Sequence, residues 1–140
     1  MRSKNPTKSN HVVMIKEDRS FSRWVILSAL MGFLGVAIGA FGAHSLKQYL
    51  TPETTETFRT GVLYHLIHSS VLLAVSLSGR LNLMKANKFF LAGIILFSFS
   101  LYIYSLTSIK LFAMITPIGG VSFLLGWLML MWQGRDGIKN

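Results

Sequence analysis

The sequence predicts an all-α integral membrane protein, a four-helix bundle with both termini cytoplasmic. Three observations carry this. Only 14% of the 140 residues are charged and 51% are apolar, whereas soluble domains carry roughly 25% charged residues. The charges leave four long gaps: 23 uncharged residues between Arg23 and Lys47, 20 between Arg59 and Arg80, 21 between Lys88 and Lys110, and 24 between Lys110 and Arg135. The basic residues also divide unevenly between the two sides that these gaps define. A helix needs about 20 mostly apolar residues to cross a ~30 Å hydrocarbon layer. A backbone in lipid must satisfy its own hydrogen bonds, so each gap reads as a helix. Four buried helices of a soluble protein would each keep a charged face, and these do not.

Residues 1–23 are polar and basic and read as a cytoplasmic tail without fixed structure. The first span is placed at 24–43. Its apolar run exceeds the 7–15 residues of a signal-peptide core, so Ala40-Phe41-Gly42 is read as helix and not as a cleavage site. Thr51-Pro52-Glu53 reads as a helix start: Thr51 caps, Pro52 suits the first turn, and Glu53 with Glu56 favours the positive end of the dipole. Helix two then begins near Pro52 and enters lipid near Gly61, for a span at 61–78. A short connection at 80–85 leads to a third span at 89–107. Thr107-Ser108-Ile109-Lys110 is a tight turn into a fourth span at 111–132, and 133–140 is a second cytoplasmic tail.

Orientation follows from positive charge. Arg2, Lys4, Lys8, Lys16, Arg19, Arg23, Arg80, Lys85, Lys88, Arg135 and Lys139 fall on one side, and Lys47, Arg59 and Lys110 on the other. The richer side is the cytoplasm. Trp24, Phe89 and Trp132 mark the inner boundary, and Tyr49, Tyr64, Tyr102 and Tyr104 lie toward the outer one. The formal charge of +9 is therefore a topology signal. Nucleic-acid binding needs a basic folded surface, which lipid-facing helices do not offer. The expected partners are the lipid bilayer and a second copy or another membrane protein.

Small residues form two stripes. Gly32, Gly35, Gly39 and Gly42 share one face of span one, and Gly119, Ser122 and Gly126 repeat the idea in span four, beside Gly120. Such faces admit a neighbouring backbone, which drives packing where no hydrophobic effect operates. Pro117 interrupts span four and frees the carbonyl of Ala113, with Thr116 at hand to bond locally.

A polar cluster is expected in the outer half: His44, Tyr64, His65 and His68 with Thr116 and Pro117, while the inner half is poorer in hydrogen-bonding side chains. His65 and His68, at i and i+3, share a face. Intramembrane imidazoles serve as interhelical hydrogen-bond partners, as a proton or small-molecule site, or as metal or haem ligands. The first reading is preferred, because no Asp or Glu lies in any span to complete a metal site. The chain has no cysteine, which removes disulfides, thiol nucleophiles and Cys-based metal sites. No Ser–His–acid set or Gly-rich phosphate loop is present. No catalytic residue, cofactor or metal ligand is therefore assigned, and the chain is expected not to be an enzyme.

Gly-Ala-Phe-Gly-Ala-His at 39–44, Tyr-His-x-x-His at 64–68 and Ile-Thr-Pro-Ile-Gly-Gly at 115–120 resemble the YgdD/YwdK-like family of small bacterial inner-membrane proteins. A eukaryotic transmembrane family of unknown function looks related. The similarity covers about Val25 to Trp132. It implies a four-helix membrane fold and motif positions at His44, His68, Pro117, Gly119 and Gly120. It implies no reaction, and the tail at 1–23 departs from the shorter bacterial form. The functional expectation is a structural or accessory membrane protein packed through Gly-rich faces. The alternative is a small-molecule or ion transporter using an outward-facing His/Tyr cluster.

Overall fold

The computed structural model describes residues 6–46, 48–80 and 83–136, with side chains from residue 21 to 135. Arg2, Lys4, Lys47 and Lys139, used above for orientation, lie outside the described residues. All the regular structure among the described residues is helical. Helix α1 spans Pro6–Phe41 and runs on as one wide π turn, Gly42–Leu46. Helix α2 spans Pro52–Leu77. The third span is composite: α3 at Met84–Gly93, a π segment at Ile94–Phe99, and α4 at Ser100–Thr107. Helix α5 spans Lys110–Asp136. Four stretches are long and apolar enough to cross a membrane: Phe21–Leu46, Pro52–Leu77, Met84–Thr107 and Lys110–Arg135. At 1.5 Å per residue each is about 36–39 Å long, more than the ~30 Å hydrocarbon layer.

The sequence accounts for the boundaries. Thr51 is extended, and its hydroxyl accepts from the Thr54 N–H at 3.2 Å, with Pro52 in the first turn. Gly79 follows α2 with a φ of 67°, a conformation that costs glycine nothing. Ser108 adopts φ 57° and its N–H reaches the Tyr104 carbonyl at 2.7 Å. The Thr107 hydroxyl accepts from the Ile109 N–H at 3.3 Å, so two residues suffice to reverse the chain into α5. One expectation differs. Residues 6–23, read as an unstructured tail, are the first turns of α1.

The packing is a chain of seams. The one extensive seam of α1 is with α2, α2 lies against the composite span, and that span lies against α5. Among the described residues no comparable seam joins α1 to α5, so the bundle they form is open on that side. The apolar core of Met31, Leu72, Ala86, Phe90, Ile94 and Phe123 draws on all four spans.

Glycine decides two of the seams. A side chain at Gly35 would meet Leu66, one at Gly39 would meet Val62, and one at Gly42 would meet Phe58. The first stripe is therefore consumed by α2 within the same chain, whereas Gly32 has open space beside it. Between α3 and α5 the fit is reciprocal: Phe90 lies over Gly126 and Phe123 lies over Gly93. At Gly119 the neighbour is the backbone of Leu96 and Phe97, inside the π segment, and Gly120 stands about a van der Waals contact from the Phe97 ring.

Candidate functional site

Three clusters stand out among the buried polar groups. In the first, His68 projects from α2 toward α5. Its ring stacks on Phe123 with centroids 3.6 Å apart and lies edge-on to Trp127. Nδ1 is 2.8 Å from the Tyr64 carbonyl, and Nε2 is 3.4 Å from the Trp127 indole nitrogen. A carbonyl only accepts and an indole N–H only donates. The proton of a neutral His68 therefore sits on Nδ1, and Nε2 accepts from Trp127. Both ring nitrogens are occupied. Tyr64 stacks on His68, lies tilted against Phe97 with centroids 4.6 Å apart, and is itself partly exposed.

One turn back along α2, His65 is fully buried and pairs through Nδ1 with the Tyr102 hydroxyl at 3.1 Å. Gly61 on α2 makes room for that tyrosine, since a Cβ there would meet the Tyr102 ring. His65 Nε2 has no well-formed partner, although the Met31 backbone on α1 lies beside the ring. Gly35 opens the space on α1 that this ring edge faces. Tyr102, expected near the outer boundary, is thus a core residue tied to α2.

The second cluster joins the proline to the π segment. Thr116 Oγ1 is 2.8 Å from Ser100 Oγ, which is 2.8 Å from the Phe97 carbonyl. A hydroxyl carries one proton. The two short distances fit a relay in which Thr116 donates to Ser100 and Ser100 donates to Phe97. The weaker 3.3 Å approach of Thr116 to the Phe112 carbonyl is the alternative. Pro117 itself is exposed on the surface of α5.

The third cluster lies at the C-terminal end of α2, beyond His65 and His68. Asn87 on α3 is fully buried and donates to Ser76 Oγ on α2 at 2.9 Å, and Ser76 Oγ is 3.3 Å from Ser28 Oγ on α1. This network joins three spans at the end of the fold that the sequence reading took to be poor in hydrogen-bonding side chains. Asn87 stands between Lys85 and Lys88 and reads as a loop residue in the sequence. Only its place three residues before the core Phe90 hints that it faces inward. Replacing Asn87 with Ala is expected to cost about 1–2 kcal/mol, from the lost interhelical bond and the space left behind. Reversible unfolding in detergent micelles measures it, and a double-mutant cycle with Ser76→Ala should return a coupling of about 0.6 kcal/mol.

The structure pairs His68 with Tyr64, turns His65 away to Tyr102 and Phe99, and brings His44 to neither. His44 lies in the π turn that ends α1 and is exposed. Among the described residues no three of His, Asp and Glu converge. Neither of the two main cavities is lined by His65 or His68. One, of about 620 Å³, lies between α1 and α2; the other, of about 370 Å³, lies between α3 and α5 beside Phe89 and Trp132.

Four apolar spans, glycine-fitted seams and buried polar side chains bonded to one another define a small multi-pass membrane protein. The comparisons agree. The chain belongs to the family described as "Protein of unknown function (DUF423)", whose pattern matches residues 38–120. It is 41% identical over 113 residues to the UPF0382 membrane protein YwdK of Bacillus subtilis, covering 77% of this chain and 92% of that one. It is 38% identical over 111 residues to the UPF0382 inner membrane protein YgdD of Escherichia coli, covering 76% and 85%. A UPF0382 membrane protein of Haemophilus influenzae is 40% identical over 116 residues, covering 78% and 90%. No solved structure matches the chain.

Proposed function

We propose that the protein is a structural or accessory component of the cell membrane, and that its intramembrane histidines hold helices together and do not handle a substrate. The observation that carries this reading is the saturation of His68. With Nδ1 on a carbonyl, Nε2 on an indole N–H and the ring face on Phe123, it has no lone pair free for a metal or a transported proton. The only acids between Arg23 and Arg135 are Glu53 and Glu56, both near the start of α2 and two turns or more from His65 and His68. Both termini face the cytoplasm in this reading, because the tails and the connection near Arg80 hold most of the Lys and Arg. Partners, or a second copy, meet the apolar outer face of α1 at Ile26, Leu30 and Phe33, all exposed. Gly35, Gly39 and Gly42 of the glycine stripe are not available for that contact, since α2 occupies them.

The test is reconstitution. Proteoliposomes holding the wild-type chain, His65→Phe or His68→Phe are expected to be equally tight to protons and small cations. A saturable flux that the wild type carries and either variant loses would establish transport instead. Photocrosslinkers at Leu30 and Phe33 in native membranes should capture one discrete partner. Reporters fused to the two ends should register the same compartment, and opposite signals would overturn the orientation.

A further inference from the structure

The cavity between α1 and α2 has a composition that suits one kind of occupant. Its walls are apolar: Gly39 from α1, Ala43 from the π turn that continues it, and Val62, Leu63 and Leu66 from α2. Its volume of about 620 Å³ is within the roughly 300–1,000 Å³ of sites that hold small molecules. Its mouth is charged. Glu56 and Arg59 line it near the start of α2 and pair with each other, Nη1 to Oε1, at 2.8 Å. Both side chains remain about 70% exposed.

The placement of that pair is unusual in this chain. Between Arg23 and Arg135 there are two acids, Glu53 and Glu56. Glu53 sits in the first turn of α2, where it complements the helix dipole. Glu56 lies beyond that turn and lines the groove. An exposed ion pair one turn apart stabilises a helix little, so folding alone does not explain it. From Arg59 to Leu66 the groove descends about 10 Å along α2, at 1.5 Å per residue, which is most of a leaflet ~15 Å deep.

From these observations we propose that the α1–α2 groove is a binding site for a zwitterionic phospholipid with a primary ammonium headgroup, of the phosphatidylethanolamine type. One acyl chain runs down the groove against Val62, Leu63 and Leu66. The phosphate meets the Arg59 guanidinium, whose planar fork matches phosphate oxygens. The ammonium donates to the Glu56 carboxylate. A headgroup carrying both signs satisfies both members of the pair at once. An anionic headgroup leaves Glu56 opposing it, and a quaternary ammonium has no N–H to give that carboxylate. The site touches none of the buried histidines, so it stands or falls independently of the role proposed for them.

Native mass spectrometry of the full chain in detergent, with phosphatidylethanolamine, phosphatidylcholine or phosphatidylglycerol added at equal concentration, tests the proposal. Phosphatidylethanolamine is expected to stay bound about tenfold more tightly than the other two, the value of one charge-assisted hydrogen bond. Glu56→Gln should abolish the preference among headgroups. Arg59→Gln should weaken all three lipids, and Leu63→Trp should fill the groove and displace them. These side chains are exposed, so each variant should retain the wild-type melting temperature. Equal retention of the three lipids, or a preference that survives Glu56→Gln, would overturn the proposal, as would binding that Leu63→Trp leaves unchanged.

Discussion

Replacing Gly119 with Val is expected to abolish the folded protein, whereas replacing Gly32 with Ala should leave it unaltered. Both glycines sit in membrane helices and belong to the small-residue stripes, but their surroundings differ. A Cβ at Gly32 meets nothing within 4 Å. A Cβ at Gly119 would fall on the backbone of Leu96 and Phe97. Backbone is the one neighbour that cannot rotate away, so the two helices must separate. Separation would open the reciprocal contacts of Phe90 on Gly126 and Phe123 on Gly93, and would break the Thr116–Ser100 relay. Overpacking of a well-packed interior typically costs about 1–3 kcal/mol, occasionally more, and here the lost contacts add to it. Total stability of a domain is only about 5–15 kcal/mol. The measurement is the yield of monodisperse protein in mild detergent together with its melting temperature. Wild-type yield and stability for Gly119→Val would show that the close approach of α5 to the π segment does not exist.

That contact also sets the proline of α5 opposite the π segment. Pro117 removes one hydrogen bond from α5, and a π turn widens the third span with i→i+5 bonding. Each distortion alone leaves polar backbone groups to be satisfied in a medium that offers no water. Side by side, Thr116 beside the proline reaches Ser100, which bonds the Phe97 carbonyl, so the relay serves the π segment and not the Ala113 carbonyl that Pro117 frees. The absence of a side chain at Gly119 is what permits the approach.

The spans were legible because lipid imposes a length and a lack of charge on every residue of a crossing, and that constraint is written locally. The Thr51-Pro52 helix start and the turn at Ser108 were legible for the same reason, since caps and turns are set by a few neighbouring residues. Tertiary pairing is not local. The glycine stripe of span one was visible, but nothing in it states whether the covering helix belongs to the same chain; Val62 and Phe58 do the covering. Gly61 and Gly93 carry no packing signal in the sequence because each stands alone, and their meaning comes from Tyr102 and Phe123 on other helices. The π segment at Ile94–Phe99 carries no proline or glycine to announce it. His44, His65 and His68 looked alike as imidazoles near one level, yet a π turn leaves the first exposed while the helix face of α2 buries the other two.

His68 provides the second large effect and separates a packing residue from a ligand. His68→Ala is expected to lower unfolding free energy by about 2–4 kcal/mol, because it empties a site walled by Phe90, Phe123 and Trp127. It also strands the Trp127 N–H that now donates to Nε2. His68→Phe restores the stacked ring but supplies no acceptor, so it should recover most of that loss and retain a deficit of about 1 kcal/mol from the unpaired indole. The ordering wild type, then Phe, then Ala is what an aromatic spacer with one hydrogen bond requires. Chemical unfolding in micelles gives the free energies, and Trp127 fluorescence should shift in both variants, since both change the partner of the indole. A metal or proton ligand would give a different ordering, with Phe as disabling as Ala in binding and both near wild type in stability. If Phe and Ala unfold together at the wild-type midpoint, the stack on Phe123 contributes nothing and His68 has been assigned the wrong role.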